Sequence, residues 1–149
     1  MPVPSSMKIT KNGVEYTSNC DRANYTIKEL TRAALKDVGK FLRKRMITKV
    51  KTLRGLKKSK RGYNAFQYWV RKQETDLIVG IKHNTWYGVQ QELGDSNQPK
   101  RAILRDTTYD NISEIMKIEG HYLSEIENET KAISLIDEAE EVGDTVENE

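Results

Sequence analysis

From Ile27 to Val50 the apolar residues Ile27, Leu30, Ala34, Val38, Phe41, Met46 and Val50 recur mostly at steps of three and four. That spacing follows the turn of an α-helix and stacks the side chains along one side of it. A helix this long and this one-sided must lay its apolar side on another element. Thr26-Ile27-Lys28-Glu29 fits a capping box, in which the threonine oxygen accepts from a free amide of the first turn and the glutamate reaches back to the cap. The helix is therefore expected to start at Thr26 and to run to about Lys51, with Gly55 as its break.

Two segments could cover that side. Tyr63–Arg71 and Thr75–Lys82 are rich in aromatic and β-branched residues and are separated by Lys72-Gln73-Glu74, which reads as a hairpin. Phe66, Tyr68 and Val70 would share one face of the first strand, and Leu77, Val79 and Ile81 one face of the second. Further on, Trp86–Leu93 reads as a short helix ended by Gly94, and Asp95–Lys100 as a polar loop punctuated by Pro99. A last helix is expected over about residues 103–128, with Ile112, Ile115, Tyr122 and Ile126 on its apolar face and Met116 and Leu123 alongside. Gly120 inside it costs about 1 kcal/mol relative to alanine, and would serve a close approach or a bend.

Before the long helix, residues 1–6 read as an irregular arm, and Met7–Thr17 as a short hairpin turning at Lys11-Asn12-Gly13. The fold class expected is α+β: a small antiparallel sheet packed against a long N-terminal helix and a C-terminal helix, with extended terminal arms. The division expected is an arm over residues 1–25, a body over 26–128 and an acidic tail over 129–149.

At 149 residues one domain suffices, but 36% hydrophobic and 32% charged residues leave a modest core, so association with neighbouring subunits is the default. The net charge of +3 hides two opposed blocks. Lys40 to Arg61 carries only positive charge, including Lys49, Lys51, Arg54, Lys57, Lys58, Lys60 and Arg61. From Glu125 onward the chain is acidic apart from Lys131. Such blocks mark interaction segments or solvated tails, and composition alone predicts a disordered tail unless a partner holds it. Within it, Ala132-Ile133-Ser134-Leu135-Ile136 would make a short docking helix. Cys20 is the sole cysteine, and no signal peptide or membrane-length apolar run is legible, which points to a chain kept in the cytosol until assembly.

His83 and His121 are the only histidines, and neither lies in a motif that supplies an orienting carboxylate and a nucleophile. No phosphate loop, nucleophile elbow or metal-ligand spacing is present in the sequence, so no enzyme, cofactor or metal is expected. The basic segment 40–61 would suit salt-sensitive phosphate contacts, as in a small nucleic-acid-binding module without sequence preference. A solvated face, or one that pairs with the acidic tail of an adjacent copy, carries equal weight. Trp86 and Tyr87 would close the sheet or anchor a subunit contact.

The order of elements, together with Trp86-Tyr87 leading to Glu92-x-Gly94, then Pro99 and Leu104-Arg105 at the start of the last helix, resembles the neck and tail-completion family of long-tailed bacteriophages. That family of head–tail joining proteins and minor tail components carries a tyrosine-containing segment, Glu-x-Gly, a short loop and a proline-aromatic-leucine-arginine stretch. Ile103 stands here where an aromatic is common, and Asp106-Thr107 replaces a more usual Pro-Ala. The resemblance spans about residues 27–127. It implies a virion structural protein forming a ring of its own copies at the head–tail junction or the top of the tail, built in the host cytoplasm. The implied partners are head-connector or head-closure proteins and tail-terminator or tail-tube proteins, with passive DNA contact in the channel and no membrane. Glu92 and Arg105 would form an ion pair fixing the loop, and the basic loop would grip a neighbour.

Overall fold

The structure, a computed structural model, describes residues 3–53, 65–83 and 85–143, apart from the side chains of residues 86 and 141–143. The chain is α+β. In order it forms β1 (Met7–Lys11), β2 (Val14–Ser18), α1 (Cys20–Thr52), β3 (Phe66–Arg71), β4 (Asp76–Ile81), α2 (Trp86–Leu93), α3 (Ile103–Asp110), α4 (Ile112–Ser124) and α5 (Glu129–Gly143). The strands make two separate antiparallel pairs, β1–β2 and β3–β4. Two compact units result: Leu35–Glu119, and Met1–Ala34 together with Gly120–Glu149.

In the unit Leu35–Glu119, Val38, Leu42, Met46 and Val50 of α1 are buried with Ala65, Phe66 and Ile103. Phe66, Tyr68 and Val70 lie opposite Ile81, Val79 and Leu77 in the β3–β4 ladder, so the alternation expected from sequence puts all six on one face. Leu77, Val79 and Ile81 pack against the buried cluster, and the long helix thereby packs on the sheet. Gly39 sets how closely. A Cβ there would stand 2.7 Å from Cγ of Tyr68, so the missing side chain is where the ring sits. Burial raises the Tyr68 phenol above its ordinary value, with Arg43 opposing the rise. Arg43 Nε also donates to the Phe66 carbonyl at 3.1 Å, tying helix to strand.

The remaining sides of this core come from Tyr87 on α2, Leu104 on α3, and Ile115 and Ile118 on α4. Gly88 plays for α2 the part Gly39 plays for α1: a Cβ would stand 2.8 Å from Cγ2 of Ile81. Instead of one helix over 103–128 there are two, because Asn111 ends α3 and begins α4. Its side-chain amide donates to the Thr107 carbonyl at 2.7 Å, while its own carbonyl accepts from the amides of Glu114 and Ile115. Gly120 is not the break. The helix runs through it, and no atom lies within 4 Å of where its Cβ would stand.

In the other unit α1 begins at Cys20, well before the expected start at Thr26. The ladder opens where the Ala23 amide donates to the Asn19 carbonyl at 2.9 Å, and Asp21 lies in the first turn. Thr26 is therefore inside the helix, where its hydroxyl donates back to the Arg22 carbonyl at 3.0 Å. Glu29 does not reach back to a cap but accepts from Arg32 at 2.7 and 2.9 Å. Thr26, Leu30, Ala33 and Ala34 are buried, as are Tyr122 of α4 and Ala132, Ile136 and Ala139 of α5. Spacing of four and three puts those α5 residues on one face, and Arg22 pairs with Glu129 at its start. Residues 129–143 thus form a helix with Ala132, Ile136 and Ala139 of one face buried within the chain. Asp137 and Glu140 of α5 lie near enough to Tyr25 to help burial raise its phenol value.

The β1–β2 hairpin turns at Asn12 and Gly13, both with positive φ (52° and 79°), as Asn-Gly hairpin turns require. Met7 pairs with Ser18, Ile9 with Tyr16 and Lys11 with Val14.

Candidate functional site

The segment carrying the phage-family resemblance folds into a tightly bonded corner between α2 and α3. Gly94 ends α2 at φ 78°, its amide donating to the Gln90 carbonyl at 2.8 Å. Only glycine fits there on two counts: the backbone is left-handed, and a Cβ would stand 2.7 Å from the Lys100 amide nitrogen. Beyond it the Asp95 carboxylate accepts from the amides of Asn97 (2.6 Å) and Gln98 (3.1 Å), folding the loop on itself. The Gln91 side chain donates to that of Gln98 at 2.7 Å, and the Arg101 amide donates to the Gln91 carbonyl at 3.0 Å.

Where α3 begins, Ala102 is left-handed (φ 45°) and offers no side-chain cap. The cap arrives from α2. Glu92 Oε2 accepts from the Leu104 amide at 2.9 Å and Oε1 from the Arg105 amide at 3.1 Å. A carboxylate at a helix N-terminus both satisfies free amides and meets the positive end of the helix dipole. Glu92 was expected to pair with the Arg105 guanidinium; its recorded partner is instead the backbone of that residue, and the Arg105 side chain is exposed. The structure thus joins Glu92, Gly94, Leu104 and Arg105 in one bonded unit. Tyr87 and Leu104 also reach the core, and Pro99 is exposed on the loop. The Trp86 side chain lies outside the described residues.

The basic segment is partly engaged within the chain. Lys40 lies 3.8 Å from Asp37, Lys49 lies 3.6 Å from Asp110, Arg43 binds the Phe66 carbonyl, and the Arg45 guanidinium sits over the Phe41 ring at 5.2 Å. Lys44 and Lys51 are exposed. Arg54, Lys57, Lys58, Lys60 and Arg61, and with them the expected loop contact, lie outside the described residues.

Large apolar side chains remain uncovered on several elements. In the unit Leu35–Glu119 they include Trp69 on β3, Leu93 on α2 (66% exposed), Tyr109 on α3 (66%) and Met116 on α4 (65%). In the other unit Met7, Ile9, Val14 and Tyr16, all on the hairpin, are exposed, as is Leu123. The sequence periodicity grouped Ile112, Met116 and Leu123 with the apolar side of the last helix. It gave the width of the apolar arc but not which part of it a neighbour covers: Ile115, Ile118 and Tyr122 are covered, the other three are not.

His83 and His121 are exposed, the latter lying edge-on to Tyr122 with ring centroids 5.8 Å apart. Among the described residues no group of three or more His, Cys, Asp or Glu could hold a metal ion, and no helix is long and apolar enough to cross a membrane. Compared with protein-family models, with curated proteins and with solved structures, the chain matches none.

Proposed function

We propose that this chain is a virion structural protein of the long-tailed phage neck or tail-completion class. It forms a ring at the head–tail junction or the top of the tail, and acts by assembly rather than by catalysis. The observation that carries the assembly reading is the uncovered apolar surface, with Leu93, Tyr109 and Met116 each about two-thirds exposed. Removing such surface from water favours association by about 25 cal/mol per Å². The Glu92 corner supports the phage-family resemblance, because it gives Glu-x-Gly and Leu-Arg a shared reason to occur together: one carboxylate holds both ends of the loop.

The partners of this reading are copies of the chain, a head-connector or head-closure protein and a tail-terminator or tail-tube protein. Light scattering on the purified protein, alone and mixed with those partners at low and high salt, tests it. A defined ring, or a monomer recruited by the partners, is the expected result. A monomer that ignores both partners yet binds DNA strongly at low salt overturns it in favour of the nucleic-acid module on residues 40–61.

A further inference from the structure

The β1–β2 hairpin is two-faced. Register places Met7, Ile9, Lys11, Val14, Tyr16 and Ser18 on one side, and Lys8, Thr10, Glu15 and Thr17 on the other. The second side is polar, with Lys8 3.6 Å from Glu15. The first side is apolar with a single charge, Lys11, and its four large apolar side chains are all at least half exposed. A two-stranded hairpin is marginal in water unless something covers its apolar face.

On α4, Ile112, Met116 and Leu123 fall on one side at helical spacing and are exposed. Glu119, three residues after Met116 and four before Leu123, lies on that same side and is its single charge. Gly120 stands beside the stripe with open space where a side chain would be. A neighbouring backbone can therefore come close.

These two faces match in three respects. Both are apolar and exposed among the described residues. Each carries one charge, and the charges are opposite, Lys11 against Glu119. Their lengths are similar: five strand residues span about 17 Å at about 3.4 Å per residue, and the twelve residues from Ile112 to Leu123 span about 18 Å at about 1.5 Å per residue. We infer that the apolar face of the hairpin of one copy docks on the α4 stripe of a second copy, with Lys11 facing Glu119. The contact is head-to-tail, so every copy both gives a hairpin and receives one, and repetition about an axis closes a ring. This inference rests on the assembly reading above and names the surface through which copies join.

Charge exchange tests it on the full chain. Lys11→Glu and Glu119→Lys each place like charges at the contact, and each is expected to weaken self-association by roughly tenfold or more in sedimentation velocity. An equimolar mixture of the two variants restores opposite charges wherever the two alternate and is expected to recover association in part, and the double variant restores them at every contact and is expected to recover it fully. Lys11 is exposed and Glu119 partly exposed, and an unchanged circular dichroism melt shows that the fold is kept. Single variants that associate like the wild type, or a loss that neither mixture nor double variant repairs, overturn the docking surface. So does a wild type that stays monomeric at every concentration. Recruitment by head-connector and tail proteins is read separately, so a failed surface and a failed assembly reading are told apart.

Discussion

The chain contains two antiparallel hairpins of nearly equal length, and they differ in what lies on their faces. β3–β4 places Phe66, Tyr68 and Val70 opposite Ile81, Val79 and Leu77, and that face packs into a core built with α1. β1–β2 places Met7, Ile9, Val14 and Tyr16 on one face in the same manner, and among the described residues these side chains are exposed. Both follow from alternation and a turn. Alternation therefore specifies a hairpin and its two faces, while stability and role depend on what is laid against the apolar face.

The comparison breaks first in the core. Met46, fully buried beneath β3–β4, becomes alanine at an expected cost of about 2–5 kcal/mol in chemical denaturation, whereas Ile9→Ala on the uncovered hairpin is expected to stay within about 0.5 kcal/mol for the monomer. Similar losses from the two sites would mean that the first hairpin is covered after all.

Next comes the seat of Tyr68. Gly39→Ala drives a methyl into the ring and is expected to cost about 1–3 kcal/mol despite the better helix propensity of alanine. In a Tyr68→Ala background the same change should become neutral or stabilising, and a double-mutant cycle measures the difference. Equal cost in both backgrounds would remove the ring as the reason for the glycine.

The corner between α2 and α3 is a smaller effect. Glu92→Ala frees the amides of Leu104 and Arg105 and is expected to cost about 0.5–2 kcal/mol, with faster amide exchange at the start of α3. Arg105→Ala should leave stability nearly unchanged, because Glu92 holds that residue by its amide.

The smallest effect is at the β3–β4 turn, where Arg71 binds Asp76 (2.7 Å from Nε) and also pairs with Glu74. The hydrogen bond from Arg71, more than its charge alone, holds the Asp76 carboxyl below the ordinary carboxylate value. Its folded value lies below its unfolded one, so its contribution is present above the unfolded value and is lost as pH falls through the folded one. Proton titration followed by NMR should show Asp76 protonating late, and Arg71→Gln should return it toward the ordinary range. The pair is exposed, so only a slight change in melting temperature accompanies this.

Local patterns determined much of the fold. The spacing of Val38, Met46 and Val50, the alternation in 66–70 and 77–81, the Asn12-Gly13 turn, and the stop of α2 at Gly94 all appear where short-range geometry requires them. The site was legible in part: Glu92, Gly94, Leu104 and Arg105 were grouped by the resemblance to the phage-family motif, but not the fact that Glu92 binds backbone amides. A carboxylate reads in sequence as a charge, and nothing local says that the amides of Leu104 and Arg105 will face it.

Other features belonged to the tertiary structure because local signals there compete. Thr26-x-x-Glu29 is a valid cap only if the residues before it are not helical, and here the helix already begins at Cys20. Asn111 and Gly120 both weaken a helix, yet the chain divides at Asn111, where the side chain finds the Thr107 carbonyl, and continues through Gly120. The acidic composition of 129–143 suggests a solvated tail, but three small and aliphatic residues on one face suffice for a helix once this chain covers them. Sequence alone thus determined which faces are apolar, since periodicity is a property of neighbours along the chain. Which of those faces is buried, and which is left for another molecule, was decided only in three dimensions, where distant segments either meet a face or leave it open.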